Sequence, residues 1–207
     1  QEVIGQLPGL LKAAELGAQQ VPAVRFAIAS LNEQQAELAR QVVGDSDLDL
    51  EIYAGRTQEL IQQAYCCLAC SGSVSLELMY YETPSAILYR VGKVTYVVGR
   101  WLANVNYITL VNLMAVERPF QDSPALQQAT AAAEEVLPFP EYLTCQDRSQ
   151  QLAQHVVGWL TDEQSYQSNV TRLRELSKRF AHPGATRRAA DFILEKLLDQ
   201  PDRQQAA

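Results

Sequence analysis

Segment 69–77, Ala-Cys-Ser-Gly-Ser-Val-Ser-Leu-Glu, has the residue types and spacing of an anion-binding turn. An apolar strand runs into Ser71-Gly72-Ser73, and a helix is expected to begin directly after it. The first N–H groups of a helix lack intrahelical partners and carry the positive end of its dipole, so they attract phosphate. Gly72 would let a phosphate approach the backbone, and the flanking serine hydroxyls can donate to it.

Glu77 is the second residue of this segment with a chemical use. It lies about four residues into the expected helix, roughly 6 Å along its axis. This is close to the separation of a ribose from its diphosphate, and a carboxylate there can accept hydrogen bonds from two vicinal hydroxyls. The alternative interpretation is a tight strand–helix turn with a solvent-facing glutamate, which is the commoner outcome for a short Gly/Ser turn.

Two other chemistries fit the sequence less well. The G-x-S-x-G spacing of a serine-hydrolase elbow does not occur, and the histidines, His155 and His182, lie in the helical last part of the chain. Cys67 and Cys70 form a C-x-x-C spacing, but a zinc site would need two further ligands from widely scattered residues. We therefore expect no metal site. The cysteine run is expected to be a buried strand in a protein of a reducing compartment.

Strands and short helices alternate along the first half of the chain. The predicted strands are 24–29, 48–53, 66–70 and 86–89, and the predicted helices are 3–14, 33–42, 57–64 and 73–81. Gly17 is expected to end the first helix. The rhythm predicts βαβ units, and therefore an α/β fold with a Rossmann-like parallel sheet and helices on both faces.

The second half is predicted to be mainly helical. A helix over 92–103 is followed by a short strand at 107–110, a surface helix at 122–137 and three helices in the tail. The predicted organisation is a Rossmann-like domain at 1–145, a helical segment at 146–200, and a disordered end at 201–207.

Composition excludes some classes of protein. The chain has 207 residues, 47% of them apolar and 20% charged, which favours a folded domain over a disordered one. A net charge of −7 argues against general nucleic-acid binding, because the phosphate backbone of a nucleic acid is also negative. Neither a signal peptide nor an apolar run of about 20 residues, as a membrane span requires, is visible. We expect a cytoplasmic location.

The helix at 92–103 carries two features that lead to different expectations. Its apolar residues fall on one stripe, which would ordinarily pack against a sheet: Val94, Val97, Val98, Trp101 and Leu102. However, no acidic residue occurs from 83 to 116, and Lys93 and Arg100 share one helix face. The alternative hypothesis is that this Lys93/Arg100 face, and not the valine stripe, meets the headgroups of a membrane surface.

The stretch 71–114 resembles lipid-A-disaccharide synthases. In that family a Ser-Gly-Thr-x-Thr-Leu-Glu turn precedes a helix, and the corresponding residues here run from Ser71 to Glu77. The family's Tyr-x-Ser-Leu-x-Asn-Leu segment appears as 107–113, and its Pro-Glu-x-Leu element appears as 140–143. The first pattern is shared with other GT-B glycosyltransferases, whereas the segment with the asparagine is more specific to the family.

The resemblance implies a GT-B fold, in which two Rossmann-like halves enclose the substrates. The chain would be the C-terminal half, which binds most of the donor, without its first strand and its Leu-Pro-Gly-Ser-Arg loop. Residues 1–145 would therefore form a partial Rossmann-like nucleotide-sugar-binding domain, and 121–139 would be a surface insertion relative to the family. The implied reaction transfers a diacylated glucosamine from UDP-diacylglucosamine to a lipid monosaccharide phosphate, as a step of lipid A biosynthesis. It uses no cofactor and no protein-bound metal.

The resemblance also implies roles for individual residues. The implied substrate-binding residues are Ser71, Gly72, Ser73, Ser75, Glu77 and Arg90. Among them the turn would hold the diphosphate and Glu77 the ribose, while Asn112 would lie in the active-site region. Ser73 and Ser75 stand where the family usually has threonine, so the hydroxyls are kept. Val111 stands where the family has proline, which leaves the backbone before Asn112 less fixed.

Further expectations concern the protein as a whole. The chain alone is expected to be inactive, because the acceptor-binding half and the catalytic base would lie elsewhere. The alternatives are another GT-B enzyme that uses a UDP-sugar, such as a peptidoglycan-type transferase or a UDP-GlcNAc epimerase-like enzyme, and a non-catalytic Rossmann-like binding module. The family can exchange C-terminal helices between protomers, so a homodimer through 148–198 is possible. A peripheral position on the inner face of the bacterial inner membrane would fit these substrates.

Overall fold

The computed structural model describes residues 2–70, 72–102, 107–116, 137–181 and 184–198. Within these segments the strands are β1 (Phe26–Ser30), β2 (Leu50–Ala54), β3 (Cys67–Cys70), β4 (Ser85–Arg90) and β5 (Glu141–Thr144). The helices are α1 (Glu2–Gln20), α2 (Glu33–Val43), α3 (Thr57–Gln63), α4 (Val74–Tyr80), α5 (Lys93–Leu102), α6 (Leu110–Ala115), α7 (Ser149–Thr161), α8 (Glu163–Phe180) and α9 (Ala185–Leu198).

All described strands pair in parallel. β1 pairs with β2 in one sheet, and a second sheet has the order β3-β4-β5. In the second sheet Cys67 lies opposite Ser85, and Ile87 lies opposite Glu141. Because a helix separates each pair of successive parallel strands up to β4, the predicted Rossmann-like α/β fold is confirmed, together with the helical tail.

β4 is the strand around which the two cores form. Ile87 contacts one cluster, which contains side chains from α3, α4, α6 and α8. Ala86 and Leu88 face the opposite side, where α1 and α7 supply Ala13, Leu152 and other buried side chains. Since a strand points successive side chains to opposite faces, this alternation places helices on both faces of the sheet.

The first helix is longer than predicted. Gly17 does not end α1, which continues to Gln20, and the Val21 N–H still donates to the Gly17 carbonyl at 2.9 Å. Gly17 is buried, and a Cβ at this position would lie 4.0 Å from a methyl of Val156 on α7. A side-chain methyl would therefore fit here, and α1 continues past the glycine because it packs along α7, which outweighs the local helix-stopping preference.

The predicted strand at 107–110 is wrong. The chain has no regular structure at 107–109, and α6 begins at Leu110, with Thr109 as its N-cap in an extended conformation. The Thr109 hydroxyl oxygen accepts from the Asn112 N–H at 3.4 Å. In sequence, a β-branched threonine two residues after a tyrosine is typical of a strand. Here the threonine side chain caps a helix, so the extended conformation ends at this residue.

Some predictions in the second half fall outside the described residues, and one is partly wrong. Residues 121–136 and 201–207 lie outside them, so the structure tests neither the surface helix nor the disordered end. The expected surface excursion is wrong for its last three residues: Leu137 is 2% exposed, Phe139 is 0% exposed, and Pro138 between them is buried. This segment enters the core beside β5 and does not remain on the surface.

The packing of α5 also differs from the expected one. Val94 is 77% exposed and Val97 is 66% exposed, so the expectation that the valine stripe packs on the sheet is wrong for these two residues. Lys93 is exposed as well. The side chain of Arg100 lies outside the described part of the chain.

Candidate functional site

The turn after β3 depends on the backbone freedom of glycine. Gly72 has φ of +136°, a conformation that residues with a side chain rarely adopt. A Cβ at this position would meet nothing within 4 Å, so the space around the turn is open. Ser73, which precedes α4, is exposed and makes no side-chain cap hydrogen bond. Ser71 lies outside the described residues.

Ser75 has a different position from the other predicted site residues. It is 0% exposed, and its hydroxyl donates to the Gly72 carbonyl at 2.9 Å, while its N–H donates to the same carbonyl at 3.2 Å. Ser75 therefore holds the turn closed from inside. Its predicted contact with a substrate stays a prediction.

Glu77 faces solvent beside an open groove. Its carboxylate lies on α4, and the groove between α3 and α4 has a volume of about 390 Å³. Tyr80 and Tyr81 line the groove with Gln58, whose Nε2 donates to the Tyr81 hydroxyl at 2.6 Å. The groove thus combines a carboxylate that accepts hydroxyl hydrogen bonds with aromatic edges, a combination suited to a sugar or nucleoside.

Arg90 lies at the carboxyl end of β4 with an exposed side chain. Its backbone is held by Gln6, whose Oε1 accepts from the Arg90 N–H at 2.7 Å and whose Nε2 donates to the Arg90 carbonyl at 2.8 Å. Gln6 is 7% exposed, so this pairing is part of the packed structure. Gln6 thus fixes the backbone from which Arg90 projects, and nothing in the local sequence pattern of α1 indicates this.

Asn112 is buried between α6 and the start of β5. Its side chain is 0% exposed, with Nδ2 donating to the Phe139 carbonyl at 2.7 Å and Oδ1 accepting from the Phe139 N–H at 3.1 Å. The second Nδ2 hydrogen points to Glu141 at 2.9 Å. The amide therefore pairs with Phe139 as a neighbouring strand would. Its predicted place in the active-site region stays a prediction.

Glu141 is the residue that sequence reasoning missed. Its carboxylate is buried and accepts from the backbone N–H groups of Ile108, at 2.6 Å, and Thr109, at 3.0 Å, and from the Thr109 hydroxyl at 2.6 Å. Burial raises the pKa of Glu141, and these hydrogen bonds, with that of Asn112, oppose the rise. The Pro-Glu-x-Leu element contained this residue, but only the structure gives it a role.

The structure divides the predicted residues into two groups. Gly72, Ser73 and Glu77 lie on one exposed turn–helix unit. Asn112 lies with Glu141 and Phe139 in the buried network on β5. The exposed residues can contact a ligand directly. The buried residues can affect ligand binding only by holding other residues in position.

Cys66 and Cys67 are thiols that burial makes weakly acidic. Burial raises the pKa of Cys66 to about 12 and that of Cys67 to about 11, so both stay protonated thiols at neutral pH. All four cysteines lie in described segments, and none forms a disulfide. Within the described residues, no group of three or more His, Cys, Asp or Glu side chains is arranged to hold a metal ion. Nor does any helix in this part of the chain have the length and apolar character that a membrane crossing needs.

Comparisons with known proteins agree on one family. A sequence model of the family described as "Lipid-A-disaccharide synthetase" matches residues 1–178, which include the turn, Glu77, Asn112 and Glu141. A lipid-A-disaccharide synthase of Psychromonas ingrahamii is 29% identical over 153 residues, covering 73% of this chain and 39% of that protein.

Two further relatives with the same name cover more of the chain. The synthase of Pseudomonas entomophila is 26% identical over 198 residues, covering 95% of this chain and 47% of its own length. That of Syntrophus aciditrophicus is 26% identical over 194 residues, covering 93% and 46%. The chain therefore spans about half the length, or less, of these curated relatives.

We predict that Glu141 makes the fold less stable as the pH rises. Burial raises its folded pKa above the unfolded value, so between the two values the folded chain keeps a proton that the unfolded chain releases. The free energy of unfolding should therefore fall as the pH rises through this window and stay level above it. Glu141→Gln cannot titrate, so the difference between wild-type and variant urea-unfolding curves across pH isolates this group.

Glu175→Gln, an exposed glutamate of α8, is the matched control for this measurement. Groups whose pKa is lowered, such as Asp147 beside Lys12, contribute the opposite slope at lower pH, but they contribute equally to both curves. A wild-type-minus-variant difference that stays level with pH, or that rises with it, would contradict the prediction.

Proposed function

Because the chain belongs to the lipid-A-disaccharide synthetase family, we propose that it forms the donor-binding part of a glycosyltransferase of lipid A biosynthesis. The proposed donor is UDP-diacylglucosamine, and the proposed acceptor is a lipid monosaccharide phosphate. The enzyme would be a hexosyltransferase that releases UDP. The reaction would take place at the cytoplasmic face of the inner membrane, where a water-soluble nucleotide and a lipid acceptor can meet.

The observation that carries this proposal is the exposed unit of Gly72, Ser73 and Glu77 at the carboxyl end of β3. In doubly wound α/β sheets ligands bind beyond the carboxyl ends of the strands, at the point where the strand order reverses. The open turn would receive the diphosphate at its backbone and at the hydroxyls of Ser71 and Ser73. Glu77 would accept hydrogen bonds from the ribose hydroxyls within its groove.

The order of the strands supports the same reading. In a doubly wound sheet, right-handed crossovers move in opposite directions on the two sides of the point where the strand order reverses. We propose that β1-β2 and β3-β4 are the pairs on these two sides, with the reversal between β1 and β3. In described residues β1 pairs only with β2. A further strand, which we assign to the first strand of the domain, would pair with the other edge of β1.

The residues of this chain would therefore bind and orient the donor. The turn and Glu77 would fix the UDP group, while Gln6 and the Glu141 network would hold the backbone near Arg90 and Thr109 in place. Effective catalysis requires the donor and the acceptor to be held in one geometry, which brings together groups from both sides of a cleft. We assign the catalytic base to the other half of the enzyme.

We predict that Glu77→Ala weakens UDP binding by more than tenfold. Removing a carboxylate that accepts two hydroxyl hydrogen bonds should cost about 1.5–3 kcal/mol. Isothermal titration calorimetry with UDP on the complete gene product measures this change. Glu175→Ala, an exposed glutamate on α8, serves as the control and should bind UDP like the wild type. An unchanged dissociation constant for Glu77→Ala would mean that Glu77 is an ordinary solvent-facing residue that does not contact UDP.

We predict that the 207-residue chain alone forms no disaccharide from UDP-diacylglucosamine and the acceptor lipid. The reason is that the groups on the acceptor side of the cleft would be missing. Product formation is followed by chromatography of radiolabelled lipid, with the complete gene product as the positive control. Turnover by the chain alone would mean that all catalytic residues lie within it, and it would contradict the proposal that the other half of the enzyme supplies the catalytic base.

We also propose that a second copy covers the apolar face of α9. Ile193, Leu194 and Leu197 are 56%, 56% and 61% exposed, and they lie at i, i+1 and i+4 on one side of the helix. By contrast, α7 and α8 pack on their own chain, through Leu152 in one core and Leu173 in the other. α9 is therefore the part of the tail that a partner protomer could take up.

This proposal predicts a change in oligomeric state. The wild-type chain should be dimeric by size-exclusion chromatography with light scattering, and Ile193→Ser/Leu197→Ser should shift it to the monomer. Leu31→Ser, which replaces a residue that is 72% exposed elsewhere, should leave the dimer intact. A monomeric wild type at every concentration, or an unchanged mass for the double variant, would rule out this interface.

A further inference from the structure

Helix α5 presents an apolar stripe that the described structure leaves uncovered. Val94 and Val97 are 77% and 66% exposed, and they lie at i and i+3, on one side of the helix. Single exposed apolar residues are ordinary on protein surfaces. Two valines aligned on one side of a short helix form a surface that favours contact with something apolar.

The charge around this stripe has a single sign. No acidic residue occurs from 83 to 116 in a chain whose net charge is −7, although Arg90, Lys93 and Arg100 lie in the same stretch. Lys93 is exposed one turn before Val97, so its ammonium group flanks the stripe. In the described part of the chain no carboxylate forms an ion pair with Lys93.

We propose that α5 lies in the interface of an anionic lipid membrane, with Val94 and Val97 entering the boundary of the acyl chains and Lys93 among the headgroups. A helix with an apolar face beside cationic side chains binds membranes in this orientation, because the lysine stem can extend along the apolar surface while its charge stays in water. The valine stripe would therefore enter the lipid, and the cationic face alone would not account for the contact.

Charge favours a membrane over a protein as the occupant. A protein surface that covered the valines would also have to supply a carboxylate opposite Lys93, whereas an anionic leaflet supplies negative charge everywhere along the helix. Two valines and one lysine give weak, reversible binding, as is typical of a peripheral contact. The proposal does not depend on the donor site, so Glu77→Ala should bind vesicles as the wild type does.

The test is vesicle sedimentation, with vesicles of phosphatidylcholine alone and vesicles that also contain phosphatidylglycerol. The wild type should bind the anionic vesicles, and binding should weaken as salt is added. Val94→Ser/Val97→Ser should weaken binding by roughly tenfold, because the buried apolar area is lost. Lys93→Glu should weaken it by roughly tenfold as well, since it reverses one charge at the headgroups.

Two controls match these variants. Val94→Ser/Val97→Ser is compared with Leu31→Ser, which removes an apolar side chain that is 72% exposed outside α5. Lys93→Glu is compared with Lys178→Glu, which changes the net charge equally. Both controls should bind like the wild type. Because both valines are exposed, the variants should keep the fold, and circular dichroism and urea unfolding verify this. The series is measured with the 207-residue chain and with the complete gene product.

Three results would overturn the proposal. The first is equal sedimentation of the wild type and the valine double variant. The second is binding to phosphatidylcholine alone that matches binding to the anionic vesicles and does not respond to salt. The third is a valine variant that changes the mass measured by light scattering but not the binding to vesicles, because the stripe would then be an interface between proteins.

Discussion

The burial of β4 on both faces is the constraint on which the rest of the structure depends. A strand covered on both sides must be apolar in both alternating sets of residues, and Ala86, Ile87 and Leu88 are each no more than 2% exposed. α1 and α7 cover one face, and α3, α4, α6 and α8 cover the other. The helices that carry the turn and the helical tail are therefore positioned through a single strand.

This burial creates a demand for hydrogen bonds where regular pairing ends. Backbone groups buried without partners are costly, so the chain supplies them from side chains. Gln6 pairs with both backbone groups of Arg90, and Asn112 pairs with both backbone groups of Phe139. Each amide takes the place of a neighbouring strand for one residue. Gln6 and Asn112 thus stabilise the backbone at the edges of the sheet.

Glu141 also uses a buried side chain to satisfy backbone groups, and in this case the side chain is a carboxylate. A buried carboxylate is unfavourable unless its oxygens accept several hydrogen bonds, and here the donors come from Ile108, Thr109 and Asn112. The network ties the segment before α6 to the first residue of β5. Because the pKa of Glu141 is nevertheless raised, the cost of burial exceeds the gain from these bonds. The carboxylate therefore specifies the position of this segment at some expense of stability.

Sequence periodicity predicted most of the strands and helices as far as β4, since each is set by its own apolar pattern and by a capping or breaking residue. Asn32 and Gly44, which bound α2, are one example. The failures occurred where distant contacts decide. Gly17 stays helical because α1 packs along α7. Val94 resembles a core residue in sequence, although the described structure leaves it exposed. The turn with Glu77 was predictable because it is continuous in sequence, whereas the network of Asn112 and Glu141 joins residues 29 positions apart.

The turn after β3 contains two serines, and their exposure shows that they have different roles. Ser73 and Ser75 look equivalent in sequence, each a serine within three residues of Gly72. The structure gives Ser75 a fully buried hydroxyl that donates to the Gly72 carbonyl, while Ser73 is exposed and makes no cap bond. A hydroxyl has one hydrogen to donate, so the Ser75 hydroxyl cannot donate to a ligand while it donates to the Gly72 carbonyl. In the proposed function Ser73 and Glu77 would therefore be the residues of this unit that contact a ligand, while Ser75 holds the shape of the turn.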